Sequence, residues 1–552
     1  MTRLPPYAHQ VEGVRHLVMR DDPASGRTAP GCFALWDEPG AGKSKQVIDA
    51  VEHLYAQGKV DTVIVVAPAY LRRLVWYHQE MGELKKHLCD GTPAMVSEFH
   101  QRKNANWWWQ TPDNSRNVVK GISWYVTNYE YLRNEAHLQR LAVHAGPKML
   151  LVLDESSAIQ TWSSQQTRAI LKLRQRCGWV WLLNGTPGNP EALYSQAFVM
   201  DPSILGCKSF FHFRAKYAIM GEGYAPGGRR FKQVVGWRHE YRLGAHETCQ
   251  TCGLSQDHRV HSPGPGLEEI NALLAPYVLC RRKVDCLDLP PKLPPTTLEA
   301  ELDKDTWRIY AELEADFIAW LDENVHASAD QAGVRAIRLA QLTAGFIGGV
   351  HSWKKCDCGN SPECERCDGT GTTYVDEESR VVGSAKLDLL TRWLADQDEP
   401  NLKLIVWCRF RFELQRYFHV LDQLGGYVLG RIIGGQRPDE REEAVRLLDP
   451  RFTPSAPVIV FGIPSAGGFG LNLTAAHHML YASPYPSLRV RIQSEDRIHR
   501  PGQTYPVWYG DVAATGPNGK RTVDHVLIAA QRRQRDVAEW TAAAWRRELR
   551  SE

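Results

Sequence analysis

Apolar residues fall in unbroken blocks at Val63-Ile64-Val65-Val66-Ala67, Met149-Leu150-Leu151-Val152-Leu153 and Trp179-Val180-Trp181-Leu182-Leu183. None of these blocks alternates with polar residues as a half-exposed strand would. Strands covered on both faces have this pattern, and they occur where helices pack on both sides of a parallel sheet. Around the blocks the period changes: Tyr7 to Leu17 and Ser44 to Gln57 carry apolar positions at helical spacing. Strands alternating with helices predict a doubly wound α/β layer whose chemistry sits at the strand C-terminal ends. The strand pattern stops near Asp201 and resumes later. Gly383 to Leu390 reads as a helix, and Lys403 to Cys408, Pro457 to Phe461 and His478 to Tyr481 read as strands, so a second α/β region is expected.

Composition narrows this picture only a little. With 552 residues the chain exceeds one core and suggests roughly three or four folding units. Its 43% hydrophobic and 23% charged residues suit a globular protein, and no apolar run is long enough for a bilayer, so no membrane role is expected. The first residues, Met1 to Pro6, show no basic-then-apolar leader, which predicts a cytoplasmic protein, or a nuclear one in a eukaryote. A formal net charge of +3 is too small to argue for nucleic acid, so that case rests on local patches. Thirteen cysteines without a leader argue against a disulfide framework, and Cys177 and Cys408 read as buried thiols.

The densest chemistry lies at Asp37-Glu38-Pro39-Gly40-Ala41-Gly42-Lys43-Ser44, between an apolar run and a helix. Gly40 and Gly42 let backbone N–H groups converge on a phosphate, the helix N-terminus adds positive charge, Lys43 reaches the outer phosphates and Ser44 can hold Mg²⁺. Asp37 stands where the usual phosphate-loop pattern has a glycine, and a glycine turn capping a helix is the plainer alternative. Gln10 can pair with an adenine edge or lie on the surface. Asp154 and Glu155 follow a buried strand, where one carboxylate can hold Mg²⁺ and the other can orient the water attacking a γ-phosphate; an acidic helix N-terminus has the same sequence. Arg497 and Arg500, three apart, are expected on one helical face, as permanent charges for a phosphate.

Two further segments suggest other ligands. Residues 206–245 hold Lys208, Arg214, Lys216, Arg229, Arg230, Lys232, Arg238 and Arg242 among many aromatic residues, which fits a nucleic-acid backbone or a solvated face. Cys249, Cys252, His258 and His261 can form a tetrahedral Zn²⁺ site. Cys356, Cys358, Cys364 and Cys367 crowd into twelve residues on polar, glycine-rich sequence, a stronger zinc pattern in which the metal replaces a core. The run from Cys364 to Gly371 also resembles one DnaJ-type zinc repeat.

Taken in order, the motifs resemble those of the superfamily-two helicases, and within them the SWI/SNF-related translocating ATPases. Asp37 to Ser44 looks like that family's Asp-Glu-x-Gly-x-Gly-Lys-Thr loop, which accounts for Asp37. Tyr7 to Gly13 is similar to its adenine-side Gln motif, Asp154-Glu155 to its Asp-Glu box, and Asn184-Gly185-Thr186-Pro187 to its Thr-Gly-Thr-Pro. Leu279-Cys280-Arg281-Arg282-Lys283 with Leu289 to Lys292 resembles a stretch peculiar to the family. Ser465 to Leu473, with Gly468 and Gly470, and Gln493 to Gln503 resemble motifs five and six. Ser156 and Ser157 depart from the usual box.

The resemblance implies two RecA-like parallel-sheet lobes with helical and zinc-binding insertions. The expected parts are an N-terminal ATP-binding lobe over 1–205, a basic and aromatic insertion over 206–295, a helical insertion with the four-cysteine cluster over 296–380, and a C-terminal lobe over 381–552. It further implies an ATP hydrolase: Lys43, Asp154, Glu155, Arg497 and Arg500 act in hydrolysis, and Gln10, Gly40, Gly42, Lys43, Ser44, Gly468 and Gly470 bind nucleotide. Ser44 and Asp154 bind Mg²⁺, and closure of one lobe on the other assembles the site. The expected partner is DNA, double-stranded by preference, with movement along it as the output. The alternatives are a strand-separating DNA or RNA helicase and a zinc-stabilised nucleic-acid scaffold with a vestigial ATPase.

Overall fold

The computed structural model describes residues 4–19, 31–78, 82–99, 107–110, 121–185, 188–224, 230–238, 266–323, 329–348, 352–355, 372–375, 379–397, 399–449, 451–467, 473–533 and 549. The chain divides into two compact units, Met1–Leu287 and Asp288–Glu552.

Unit 1 is built on an eight-stranded sheet. Its strands are β1 (Cys32–Leu35), β2 (Thr62–Ala67), β3 (Ala94–Glu98), β4 (Trp107–Gln110), β5 (Ile122–Asn128), β6 (Met149–Asp154), β7 (Trp179–Leu183) and β10 (Val278–Leu279), in spatial order β10-β1-β7-β6-β2-β5-β3-β4. All pairs are parallel except β3 with β4. The unbroken apolar blocks become its centre: every residue from Val63 to Ala67, Leu150 to Leu153 and Trp179 to Leu183 is fully buried. Each large aliphatic side chain so buried contributes about 1.5–3 kcal/mol. Helices α1 (Ala8–Val18) and α2 (Lys43–Ala56) pack against one another and flank β1.

The segment after Asp201 is not strandless. An antiparallel hairpin, β8 (Ala218–Tyr224) with β9 (Arg230–Trp237), occupies the basic stretch, with a register shift at Ile219/Met220. Glycines at 221, 223 and 236 interrupt the apolar pattern and hide these strands from a periodicity reading. Two of the basic side chains there are already paired, Arg214 with Glu191 at 2.7 Å and Lys216 with Glu269 at 2.8 Å.

Unit 2 carries a six-stranded, all-parallel sheet. Its strands are β11 (Thr296–Glu301), β16 (Lys403–Trp407), β17 (Val428–Ile432), β18 (Val458–Gly462), β19 (His478–Tyr481) and β20 (Trp508–Thr515), in order β11-β20-β19-β16-β18-β17. Two small ladders lie outside it: β12 (Phe346–Ile347) pairs with β15 (Arg380–Val381), and β13 (Ser352–Lys355) pairs with β14 (Thr372–Val375). The segments expected to be insertions each lend a strand to a main sheet, β10 to the first and β11 to the second. Cys177 and Cys408 are buried, and burial pushes the Cys177 thiol up to about 12. Among the described residues no helix is long and apolar enough to cross a membrane.

Candidate functional site

The loop after β1 turns sharply through Gly40 and Gly42, whose φ angles of +91° and +77° favour glycine. Gly42 is also the N-cap of α2 and, as a glycine, brings no capping side chain of its own. Uncapped N–H groups at a helix start form an anion site. Lys43 lies over the loop and donates to the carbonyls of Asp37 and Glu38, at 2.7 and 3.4 Å. Ser44 is half-buried.

Gln10 is buried rather than on the surface. Its Oε1 accepts from the Tyr7 N–H at 3.1 Å, and its Nε2 donates to the Ala41 carbonyl at 3.4 Å. A Cβ on residue 42 would stand 2.2 Å from Gln10 Nε2, the end of a side chain that can shift, so it is the positive φ that calls for the second loop glycine. The start of α1 thus lies directly on the glycine loop. Across the sheet's C-terminal edge, a Cβ on residue 185 would meet the Pro39 ring at 2.7 Å, which brings the end of β7 against the same loop.

Asp154 ends β6 and Glu155 follows it with φ +51°, a left-handed conformation that costs a non-glycine residue about 1–3 kcal/mol. Such strain persists where the surroundings impose it, and here several contacts do. Trp76 donates its ring N–H to Asp154 Oδ2 at 2.7 Å, Tyr129 donates its hydroxyl to the Asp154 carbonyl at 2.9 Å, and the Glu155 N–H reaches Asp154 Oδ1 at 3.0 Å. Trp76 comes from a six-residue π-helical turn, Arg72–Tyr77, a geometry frequent at functional sites. Glu155 Oε2 is buried and has no hydrogen-bond partner among the described residues. Ser156 is buried on Gln196 at 2.7 Å, which leaves it to a structural role.

Burial, and next the charge of Glu155, push the Asp154 carboxyl up to about 6, against the opposing Trp76 hydrogen bond and the nearby Lys43 charge. A carboxyl raised from 3.8 to about 6 takes up its proton more readily in the folded chain, so its contribution to stability improves as pH falls through 6 towards 4. In magnesium-free buffer Asp154→Asn is therefore expected to raise the thermal midpoint at pH 7, by an amount that shrinks towards zero at pH 4. A gain independent of pH would show that the carboxylate is not strained by its burial.

Asp37, read at first as a missing glycine, is fully buried and paired. Arg281 meets it at 2.6 and 3.0 Å, and also reaches Gln46 at 3.1 Å, Glu12 at 3.0 Å and the His9 carbonyl. The backbone reinforces this join: Trp36 N–H donates to Leu279 O at 2.8 Å, Glu38 N–H to Arg281 O at 3.0 Å, and Lys283 N–H to Glu38 Oε2 at 2.9 Å. Residues 279–283 therefore brace the glycine loop from one side, a role that no local pattern announces.

In unit 2 the two arginines do not share a helix. The helix Leu488–Glu495 ends before them, and Arg497 and Arg500 lie in the following turn. Bonds of i→i+3 type, Arg497 N–H to Ser494 O at 3.1 Å and Ile498 N–H to Glu495 O at 3.3 Å, tighten the chain there. Pro501 then keeps Arg500 from continuing a helix. Arg497 is 2% exposed and Arg500 half-buried; each donates Nε to a carbonyl four residues earlier, Gln493 O at 2.9 Å and Asp496 O at 3.1 Å. Gly468, Gly470, Cys249, Cys252, His258, His261, Cys356, Cys358, Cys364 and Cys367 lie outside the described residues.

A parallel sheet carrying a glycine loop, an uncapped helix start and a strand-end carboxylate pair, followed by a second parallel-sheet unit, defines a helicase-type P-loop ATPase fold. The SNF2-related domain model matches residues 9–357 and the helicase conserved C-terminal domain model matches 385–502. The chain belongs to the SNF2-related family. It is 25% identical over 489 residues to the ATP-dependent DNA helicase DDM1 of Arabidopsis thaliana, covering 86% of this chain and 55% of that protein. It is 24% identical over 548 residues to the mouse DNA annealing helicase and endonuclease ZRANB3, covering 97% of this chain and 40% of that protein. Among solved structures it is similar to the Sulfolobus solfataricus SWI2/SNF2 ATPase core in complex with dsDNA, with 16% identity, a TM-score of 0.37, and coverage of 99% of this chain and 95% of that one. The chain thus spans about half the length of these two relatives.

Proposed function

We propose that the chain is an ATP-dependent motor that couples hydrolysis to movement along double-stranded DNA. The observation that carries the ATPase part is the convergence, at the C-terminal edge of one sheet, of the uncapped α2 start, Lys43, and a strained carboxylate pair with an unpartnered buried oxygen on Glu155. On arrival of a phosphate, Lys43 exchanges two loop carbonyls for phosphate oxygens. Ser44 and Asp154 offer the hard oxygen donors that suit Mg²⁺, which when bound draws charge from the phosphate oxygens. Glu155 orients the attacking water and takes its proton. Gln10 contacts the base, Gly40 and Gly42 the phosphates, and Gly468 and Gly470 contribute to nucleotide binding from the second unit. Arg497 and Arg500 supply positive charge to the transferring phosphate, for which a guanidinium suits better than an ammonium because it is planar and permanently charged.

The DNA part is supported by family membership and by relatives named as DNA helicases, DDM1 and ZRANB3. Zinc remains part of the proposal: β13 and β14 pair immediately on either side of the segment holding Cys356, Cys358, Cys364 and Cys367, an arrangement that suits a metal-closed hairpin loop. Cys249, Cys252, His258 and His261 form the second candidate set. ATP turnover measured against duplex DNA, single-stranded DNA and RNA tests the reading, which expects the duplex to stimulate most. Because both relatives are named helicases, strand separation is the second reading. Displacement of a triplex strand without duplex unwinding supports translocation; unwinding of the duplex supports the helicase.

A further inference from the structure

Glu399, His477 and His478 in unit 2 take no part in the site described above. Each offers one donor atom, and the three atoms lie within 4.8 Å of one another. Glu399 uses both its oxygens: Oε1 stands 3.3 Å from His477 Nε2 and Oε2 stands 3.8 Å from His478 Nδ1. Tetrahedral zinc with bonds near 2.0–2.1 Å sets its ligand atoms about 3.3–3.5 Å apart; the Glu399–His477 separation equals such an edge, and the Glu399–His478 separation is a few tenths of an ångström longer.

The convergence is a built feature of the backbone. Successive residues in a strand point to opposite faces, which would hold two neighbouring histidines apart. Here the ring centroids are only 4.3 Å apart. His477 lies just outside β19, where its carbonyl accepts the Trp508 N–H at 2.8 Å, and His478 is the first strand residue. Because His477 precedes the strand, the strand's alternation does not hold its ring to the opposite face from His478. Tyr505 and Trp508 flank them, with centroids 5.2 Å from His477 and 5.8 Å from His478 respectively. His478 Nδ1 is buried and has no hydrogen-bond partner among the described residues. A buried ring nitrogen left without a partner costs about 1–3 kcal/mol, a cost that a metal bond removes.

We propose that Glu399, His477 and His478 bind a zinc-class divalent ion, with water in the fourth position. Two imidazoles and one carboxylate are the donor set of Zn²⁺, Co²⁺ and their neighbours rather than of Mg²⁺ or Ca²⁺, which take oxygen. The side chains are 20%, 22% and 39% exposed for His477, His478 and Glu399, which leaves a solvent path for the ion and room for the water. Glu399 sits in the turn that leads into β16, its carbonyl accepting the Leu402 N–H at 3.1 Å, and β16 pairs with β19 in the register Leu404↔His478. The ion therefore ties together the N-terminal ends of two adjacent central strands. That edge is opposite the strand C-terminal ends from which the motif segments of unit 2 emerge, so the site acts on the stability of the unit and not on nucleotide chemistry.

The test uses the full chain, stripped with chelator, dialysed and titrated with Co²⁺. Wild type is expected to bind one more ion per chain than the H477A/H478A variant, and this extra ion to show ligand-field absorption without the near-ultraviolet thiolate-to-cobalt band of a cysteine site. Glu399→Gln, which keeps the side chain's size, is expected to weaken that ion's affinity by at least about 10-fold while its metal-free thermal midpoint matches wild type. This variant carries the test if the double histidine variant does not fold. Equal Co²⁺ uptake and affinity in wild type and Glu399→Gln, or an extra ion bearing the thiolate band, would overturn the proposal.

Discussion

Glu155→Gln is expected to bind ATP as the parent chain does and to turn it over about 10²–10⁴-fold more slowly, the usual contribution of a general base. The structure gives the reason for so large an effect from one oxygen-to-nitrogen exchange. Glu155 is held in a left-handed conformation at the end of β6, between an Asp154 carboxylate fixed by Trp76 and a 3₁₀ turn at Ser156–Ile159. Glutamine keeps the length and the amide still fits, so the loop and α2 are undisturbed. What it loses is the ability to accept a proton through Oε2, the atom left without a partner among the described residues. Nucleotide binding measured by fluorescence titration, set beside steady-state turnover, separates the two effects. Unchanged turnover would remove Glu155 from the chemistry.

The second large effect falls on stability. Arg281→Ala strands the Asp37 carboxylate, fully buried and paired at 2.6 Å, and breaking such a pair from one side costs about 3–5 kcal/mol. Urea unfolding of the full chain should show the loss in its first-unit transition. Replacing both partners, Asp37→Asn with Arg281→Met, should recover much of it, because no uncompensated charge is left inside. The nucleotide readout should move too, since Arg281 positions the loop through Asp37 and Gln46: the KM for ATP rises more than kcat falls. A stability loss equal in the single and double variants would mean that Arg281 matters through packing and not through its charge.

These two predictions draw on different levels of the sequence. Asp154-Glu155 was legible because a fully buried parallel strand leaves a continuous apolar block, and the residues just past such a block reach the functional edge of the sheet. The phosphate loop was legible for the same reason, its glycines and lysine being a local pattern. The Asp37–Arg281 pair was not: 244 residues separate its members, and the strand that brings them together, β10, is two residues long. Trp76 was equally hidden, because it reaches Asp154 from a π-helical turn in which helical spacing no longer predicts direction. The hairpin β8–β9 was missed because glycines dilute its apolar signal. Arg497 and Arg500 were assigned to one helical face, although Pro501 next to Arg500 already argued for a turn.

The motor reading rests finally on whether duplex DNA drives the chemistry. Steady-state ATP hydrolysis by the full chain, measured with Mg²⁺ and a saturating linear duplex and again without nucleic acid, tests this most directly, with Glu155→Gln as the background control. The account predicts a severalfold higher rate with the duplex than with single-stranded DNA, RNA or no nucleic acid, and no duplex effect in the Glu155→Gln chain. A rate that no nucleic acid raises, or that only RNA or single strands raise, would contradict it.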